Sequence, residues 1–190
     1  MEDNYTMVNI CLSANEIDIL KNLKGKRLVK YRHDPLDKFE GETVYGRIEL
    51  FFNNTIILIS YDYEPFPLFG SPDDEHPKFS ISKIEESEAI SALKDVMQID
   101  VRYNKIISEI ILVEDFVNII WDNKQDSFKL VKAIILKFDN EEIVIQGDYM
   151  IPLLDIFKGT DARSMLAHVY DEYKNNQETK FLVNRSYVKL

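Results

Sequence analysis

Long stretches of the chain alternate polar and apolar positions with the period of two that puts successive side chains on opposite faces of a strand. Residues 26–33 alternate in this way, as do 78–84. Residues 44–52 and 55–61 are β-branched and aromatic runs separated by Asn53-Asn54, and Asn tolerates the positive φ of tight hairpin turns, so the two runs predict a hairpin. Further strands are expected over 106–113, 116–121, 128–138 and 142–146, with a turn at Asp139-Asn140, and a last strand over 181–188.

Helical spacing is found in three places. Ser13 and Glu16 stand three residues apart, so each side chain can satisfy the other's backbone N–H at a helix start, and Ile17, Leu20 and Leu23 then share one face up to Gly25. A helix over 14–24 follows. Ala89, Leu93 and Val96 predict a second over 86–96. Met165, Leu166, Val169, Tyr170 and Tyr173 predict a third over 161–174, capped by Thr160. The prolines between 64 and 77 predict a loop.

Sliding the chain against itself by 86 positions aligns 50–63 with 136–149 without a gap. Leu50, Phe52, Asn54, Ile57, Ile59, Asp62 and Tyr63 then meet Leu136, Phe138, Asn140, Ile143, Ile145, Asp148 and Tyr149, seven identities where random pairing gives about one. The matched apolar residues are in phase on one hairpin face and the Asn sits at the turn. The expected fold is α+β and antiparallel-sheet-rich: two related β-hairpin units, about 26–69 and 106–157, sharing a core, with about three helices. Residues 1–190 should form a single compact domain of two similar halves, about 1–97 and 98–190, because half the chain alone buries a smaller fraction of its surface.

Composition narrows the function. Thirty-three acids against 23 bases give a formal charge of -10, which disfavours nucleic acid, since phosphate contacts need clustered Lys and Arg. Residues 62–95 hold nine of the acids and three bases, whereas 21–32 hold six bases and no acid, so the molecule has two electrical poles. No apolar stretch approaches the roughly 18 residues of a spanning helix, and the acidic start Met1-Glu2-Asp3-Asn4 lacks the positive charge and apolar run of a secretory signal. A cytoplasmic protein that touches no membrane is expected. Cys11 lies in an apolar run and reads as a small buried hydrophobe.

The chain lacks the spaced motifs of catalysis. Glycines at 25, 41, 46, 70, 147 and 159 are too scattered for a phosphate-cradling loop, and His33, His76 and His168 have no second ligand at metal spacing. No catalytic residue, metal or cofactor is assigned. The pairs Asp62-Tyr63 and Asp148-Tyr149 read as duplicated structural residues. The remaining chemistry is a binding surface, Tyr61, Tyr63, Glu64 and Phe66 followed by Asp73, Asp74 and Glu75, which joins aromatic rings and prolines to an acidic loop. It points to a non-catalytic acidic module, of the immunity or inhibitor kind, that masks a basic protein partner. The alternative is a small-molecule or anion site, or an enzyme, in a cleft between the halves, with Lys26, Lys30 and Arg32 as weak anion-binding candidates. A homo-oligomer is a third option.

Overall fold

The computed structural model describes residues 8–37, 42–65, 75–88, 98–121, 124–148, 151–166 and 179–190. Strands run in the order β1 (Val8–Ile10), β2 (Arg27–Asp37), β3 (Glu42–Phe52), β4 (Thr55–Pro65), β5 (Glu75–Ile84), β6 (Ile99–Ile106), β7 (Glu109–Trp121), β8 (Lys124–Lys137), β9 (Glu142–Gly147), β10 (Leu153–Gly159) and β11 (Thr179–Lys189). One α-helix, α1 (Ala14–Lys21), lies between β1 and β2.

The strands form two five-strand antiparallel units of the same topology. Strands β2 to β5 make a meander and β6 returns to pair with the free side of β2; β7 to β10 make a second meander and β11 returns to β7. Ile48 faces Ile59 and Leu50 faces Ile57 in the first, and 86 residues later Ile134 faces Ile145 and Leu136 faces Ile143. The cross-strand register of the two hairpins is the same. Their apolar faces lie in one buried cluster, in which Leu50, Ile57 and Ile59 join Leu136, Ile143 and Ile145.

Strand β3 belongs to both sheets. Its first residues, through Tyr45, pair with β10, and from Arg47 onward it pairs with β4. The change of partner falls at Gly46, whose φ is +51 and where an added Cβ would stand 2.8 Å from the Pro152 carbonyl oxygen and 2.9 Å from that of Tyr61. Only glycine meets both demands. On the other side β1 pairs in parallel with β8, and α1 packs on β5. The expected capping box is present: Glu16 Oε2 accepts from the Ser13 N–H at 2.7 Å and Ser13 Oγ accepts from the Glu16 N–H at 3.4 Å. The other oxygen, Oε1, accepts the Ile81 N–H of β5 at 2.9 Å, so one carboxylate both starts the helix and ties it to a sheet edge. Burial alone would raise its pKa, but these bonds outweigh burial and hold it below the usual value.

Several expectations need correction. The fold is mostly antiparallel sheet, and α1 is the one α-helix among the described residues, not one of about three. In place of the expected helix over 86–96 the structure has a 3-10 turn at Glu86–Glu88, and 89–97 lie outside the described residues. The expected helix over 161–174 begins as a 3-10 turn, Ala162–Met165, without a side-chain cap on its first turn; at Leu166 the backbone leaves helical geometry (ψ 113). Ala162 and Leu166 instead press onto the outer face of the second unit beside Ile111, Val113, Ile135 and Val144. Over these described residues tertiary packing has overridden a helical pattern, and 167–174 lie outside the described residues. The stretch 64–77 is also not all loop, since β4 and β5 stay paired as far as Pro65 and Glu75. Strands β1, β6 and β10 had no expectation; their short runs become strands by pairing with distant neighbours.

Tyr61 crosses between the units. Its hydroxyl donates to the Asp148 carbonyl, and its ring lies against Gly147, where an added Cβ would overlap it. Tyr61 and Gly147 are themselves 86 residues apart, so the first unit has an aromatic ring where the second has the hollow that receives it. Gly147→Ala should destabilise the protein by at least about 2 kcal/mol through this overlap. Pairing it with Tyr61→Leu should cost less than the sum of the single changes, measured by chemical denaturation.

Candidate functional site

The two units differ most on their outer faces. Across the first unit the register sets Asp100, Arg32, Glu49, Leu58 and Ser82 side by side; across the second the equivalent row is Lys189, Ile111, Ile135, Val144 and Phe157. A scaffold that packs aliphatic residues in one copy carries ionisable groups in the other. Glu49 is 1% exposed, and neither of its oxygens accepts a hydrogen bond among the described residues. Arg32 Nη1 and Arg47 Nη2 each stand 4.0 Å from it, too far for a direct bond. Desolvation raises its pKa, against the opposing pull of Arg47 and Arg32. Arg47 also reaches the Glu88 carbonyl of the adjoining turn at 3.4 Å, while its Nε has no partner among the described residues.

Lys30 and Arg32 project from the same side of β2, as their spacing requires. Both bind Asp100, at 2.8 and 2.7 Å, and both lie over the Phe51 ring, 4.3 and 4.9 Å from its centroid. Hydrogen bonding from Arg32, then from Lys30, pulls Asp100 down to about 2. Lys26, the third anion-binding candidate, is exposed on the turn before β2 and does not join them. A hollow of about 400 Å³ opens beside this row over Phe51, Ile56 and Ile84, with Lys83, Glu85 and Glu86 at its side.

The acidic surface is partly assembled. Tyr61 is buried in the core, so it is removed from the candidate partner-binding set: strand alternation turns it inward with Ile57 and Ile59. The next four residues of β4, Asp62, Tyr63, Glu64 and Pro65, are all exposed, and Glu75 is exposed across the ladder from Pro65. Glu64 binds Lys78 at 3.1 Å. Facing Glu64 and Tyr63, His76 and Pro77 are buried, and the His76 ring packs 5.9 Å from the Phe128 ring of the second unit. Burial lowers the His76 pKa and keeps the ring neutral. Phe66, Asp73 and Asp74 lie outside the described residues.

A second buried polar group was not foreseen. In β7 Asp115 is inaccessible and takes two bonds of 2.7 Å from Arg185 of β11. Beside it Lys132, 3% exposed, occupies the extra position where the β7–β8 register shifts, and donates to the Gly147 carbonyl. Burial drives its pKa down to about 8, opposed by Asp148, Asp115 and Asp155. The signal for Glu49 was present in the sequence, since the offset of 86 sets Arg47 and Glu49 against Ala133 and Ile135; nothing in the sequence marked the bulge at Lys132.

Cys11 is half-buried and its pKa is raised by burial, which disfavours a reactive thiolate. Among the described residues no group of three His, Cys, Asp or Glu could hold a metal ion, and no helix is long and apolar enough to cross a membrane. Comparison with protein-family models, with curated proteins and with solved structures gave no match.

Two outcomes follow. Replacing Arg32, Arg47 and Glu49 together by Ile, Ala and Ile, the second unit's residues, should leave unfolding stability unchanged or raise it, because buried ionic groups are often matched by aliphatic ones; a loss of several kcal/mol would make the row a structural requirement. For Lys132, the folded state holds fewer protons than the unfolded chain between its lowered pKa of about 8 and the ordinary 10.5. Stability should therefore climb through that window by roughly 3 kcal/mol. In Lys132→Met the climb should disappear from urea midpoints measured against pH.

Proposed function

We propose that this chain is a non-catalytic acidic module that binds a basic protein partner, of the kind that masks or inhibits it, through the exposed end of the β4–β5 hairpin. The observation that carries the reading is the run of four exposed residues, Asp62 to Pro65, on a strand whose opposite partners His76 and Pro77 are buried against the rest of the fold. Such an arm presents carboxylates and the Tyr63 ring from an anchored ladder, and a surface ordered in advance loses little entropy on binding. The net charge of -10 supports fast, salt-sensitive association with a basic surface. The recurrence of register and topology at an offset of 86 supports reading the chain as one domain made by copying a single unit, in which one copy acquired the arm and the charged outer face. A cytoplasmic setting fits the lone free cysteine.

The alternative, a ligand cleft between the halves, has less support. The space between the hairpin faces is occupied by Tyr61, Phe79, Ile143 and Ile145, and Lys30 and Arg32 already share Asp100. Immobilised protein should capture a basic partner from lysate of the source cell at low ionic strength and release it as salt rises. Reversing the charge at Asp62, Glu64 and Glu75 should weaken capture at least about tenfold without changing the melting temperature. A partner held independently of salt and of these residues would overturn the reading.

A further inference from the structure

The ends of the strand network are treated differently. Strand β6, the edge of the first unit, is eight residues long. Its pairing with β2 shifts register between Leu28 and Lys30, it holds Asn104 at φ 57, and it carries Asp100, Arg102 and Lys105. These are ordinary guards against edge-to-edge pairing. The edge at β5 is met by α1, with Glu16 taking the Ile81 N–H. Strand β11 carries Lys180, Arg185 and Lys189 but lacks the shortness and irregularity that guard β6. It pairs with β7 through eleven consecutive positions without a shift, contains no proline, and among the described residues no strand pairs with its other side.

Its exposed side chains are also unusual. Leu182, Val183, Tyr187 and Val188 are 43, 36, 50 and 38% exposed, and they are placed symmetrically about Arg185: Leu182 and Val188 three residues to either side, Val183 and Tyr187 two. Sheet periodicity puts Leu182 and Val188 on one face and Val183 and Tyr187 on the other. We propose that β11 pairs antiparallel with β11 of a second copy of this chain, about a two-fold axis through Arg185.

In that register Leu182 faces Val188 on one side of the joined sheet and Val183 faces Tyr187 on the other, each pair occurring twice, while Asn184 faces Ser186. All four exposed apolar residues gain an apolar neighbour, which is the self-complementarity that a two-fold interface demands. Moving the axis to Asn184 would set Leu182 against Ser186, Val183 against Arg185 and Val188 against Lys180, and of the four only Tyr187 would keep an apolar partner, Phe181. Charge agrees with the choice. Lys180 and Lys189 do not meet each other, and the one like-charged residue at the axis, Arg185, is already neutralised by its two bonds to the buried Asp115, on the β7 side. This explains a buried ion pair one strand in from an edge. The acidic arm takes no part, so the proposal stands apart from the basic-partner reading.

Sedimentation and light scattering over a concentration series should find a dimer. Val183→Glu with Tyr187→Glu sets Glu against Glu twice and should weaken dimerisation at least about tenfold. Val183→Glu with Tyr187→Lys sets Glu against Lys twice and should restore it, because within one strand these residues are about 13 Å apart and cannot neutralise each other. Charge reversal at Asp62, Glu64 and Glu75 should leave the dimer intact. A monomer at every concentration, or a dimer indifferent to the first pair, would overturn the proposal, as would failure of the opposite-charge pair to rescue. Should either variant fail to fold, amide exchange on the native chain decides: β11 amides must slow as concentration rises, and unchanged exchange refutes the pairing.

Discussion

The molecule depends on two hairpin faces of the same register closing on each other. Leu50, Ile57 and Ile59 from one and Leu136, Ile143 and Ile145 from the other are withdrawn from water in a single cluster, to which α1 adds Leu20. Neither hairpin could do this alone, since a two-stranded ribbon has nothing to cover its apolar side. The closure is not symmetric. On one side the backbone itself joins the units, through β3 and β10, and the switch is possible because Gly46 admits two carbonyl oxygens where a side chain would stand. On the other side β1 and α1 fill the gap, and the carboxylate of Glu16 bonds to both helix and sheet.

Once the inner faces are committed to the core, function is left to the surfaces that the two units do not share. Those surfaces differ. The second unit covers its outer face with Ala162 and Leu166 and is apolar there, whereas the first holds a carboxylate, Glu49, between two guanidinium groups without a hydrogen bond to either. The acidic arm belongs to the first unit and the open edge β11 to the second. The poles of charge that appear along the chain do not stay apart on the fold, since Glu85 and Glu86 share a hollow with Phe51, over which Lys30 and Arg32 lie, and basic residues of 21–32 have acidic partners: Lys21 on Asp18, and Lys30 and Arg32 on Asp100.

How far the candidate site could be read in advance varies with the residue. The exposure of Glu75 was legible because acidic side chains beside turn residues stay in water. Which ring is buried, Tyr61, and which is exposed, Tyr63, was not legible, because an aromatic ring in a run of aromatics has no label for its face until the ladder is paired; one position of register decides between core and surface. The buried charges Asp115 and Lys132 were not legible, since their partners come from β11 and from the end of β9, 70 and 15 residues away.

Alternation, turn residues and the capping box, all interactions within a few positions of one another, settled by themselves that this chain forms α1 and the two hairpins with their turns at Asn53-Asn54 and Asp139-Asn140. The matched apolar phase at an offset of 86 further settled that the two hairpin faces would be alike. Tertiary structure alone decided the rest. It made 3-10 turns of the described starts of two expected helices, Glu86–Glu88 and Ala162–Met165, and in the second Ala162 and Leu166 pack on the sheet. It also made strands of β1, β6 and β10, whose residues carry weak local preference and acquire order only from a neighbour's hydrogen bonds. Long-range pairing is invisible to local periodicity, and on this fold it determines which face each side chain presents.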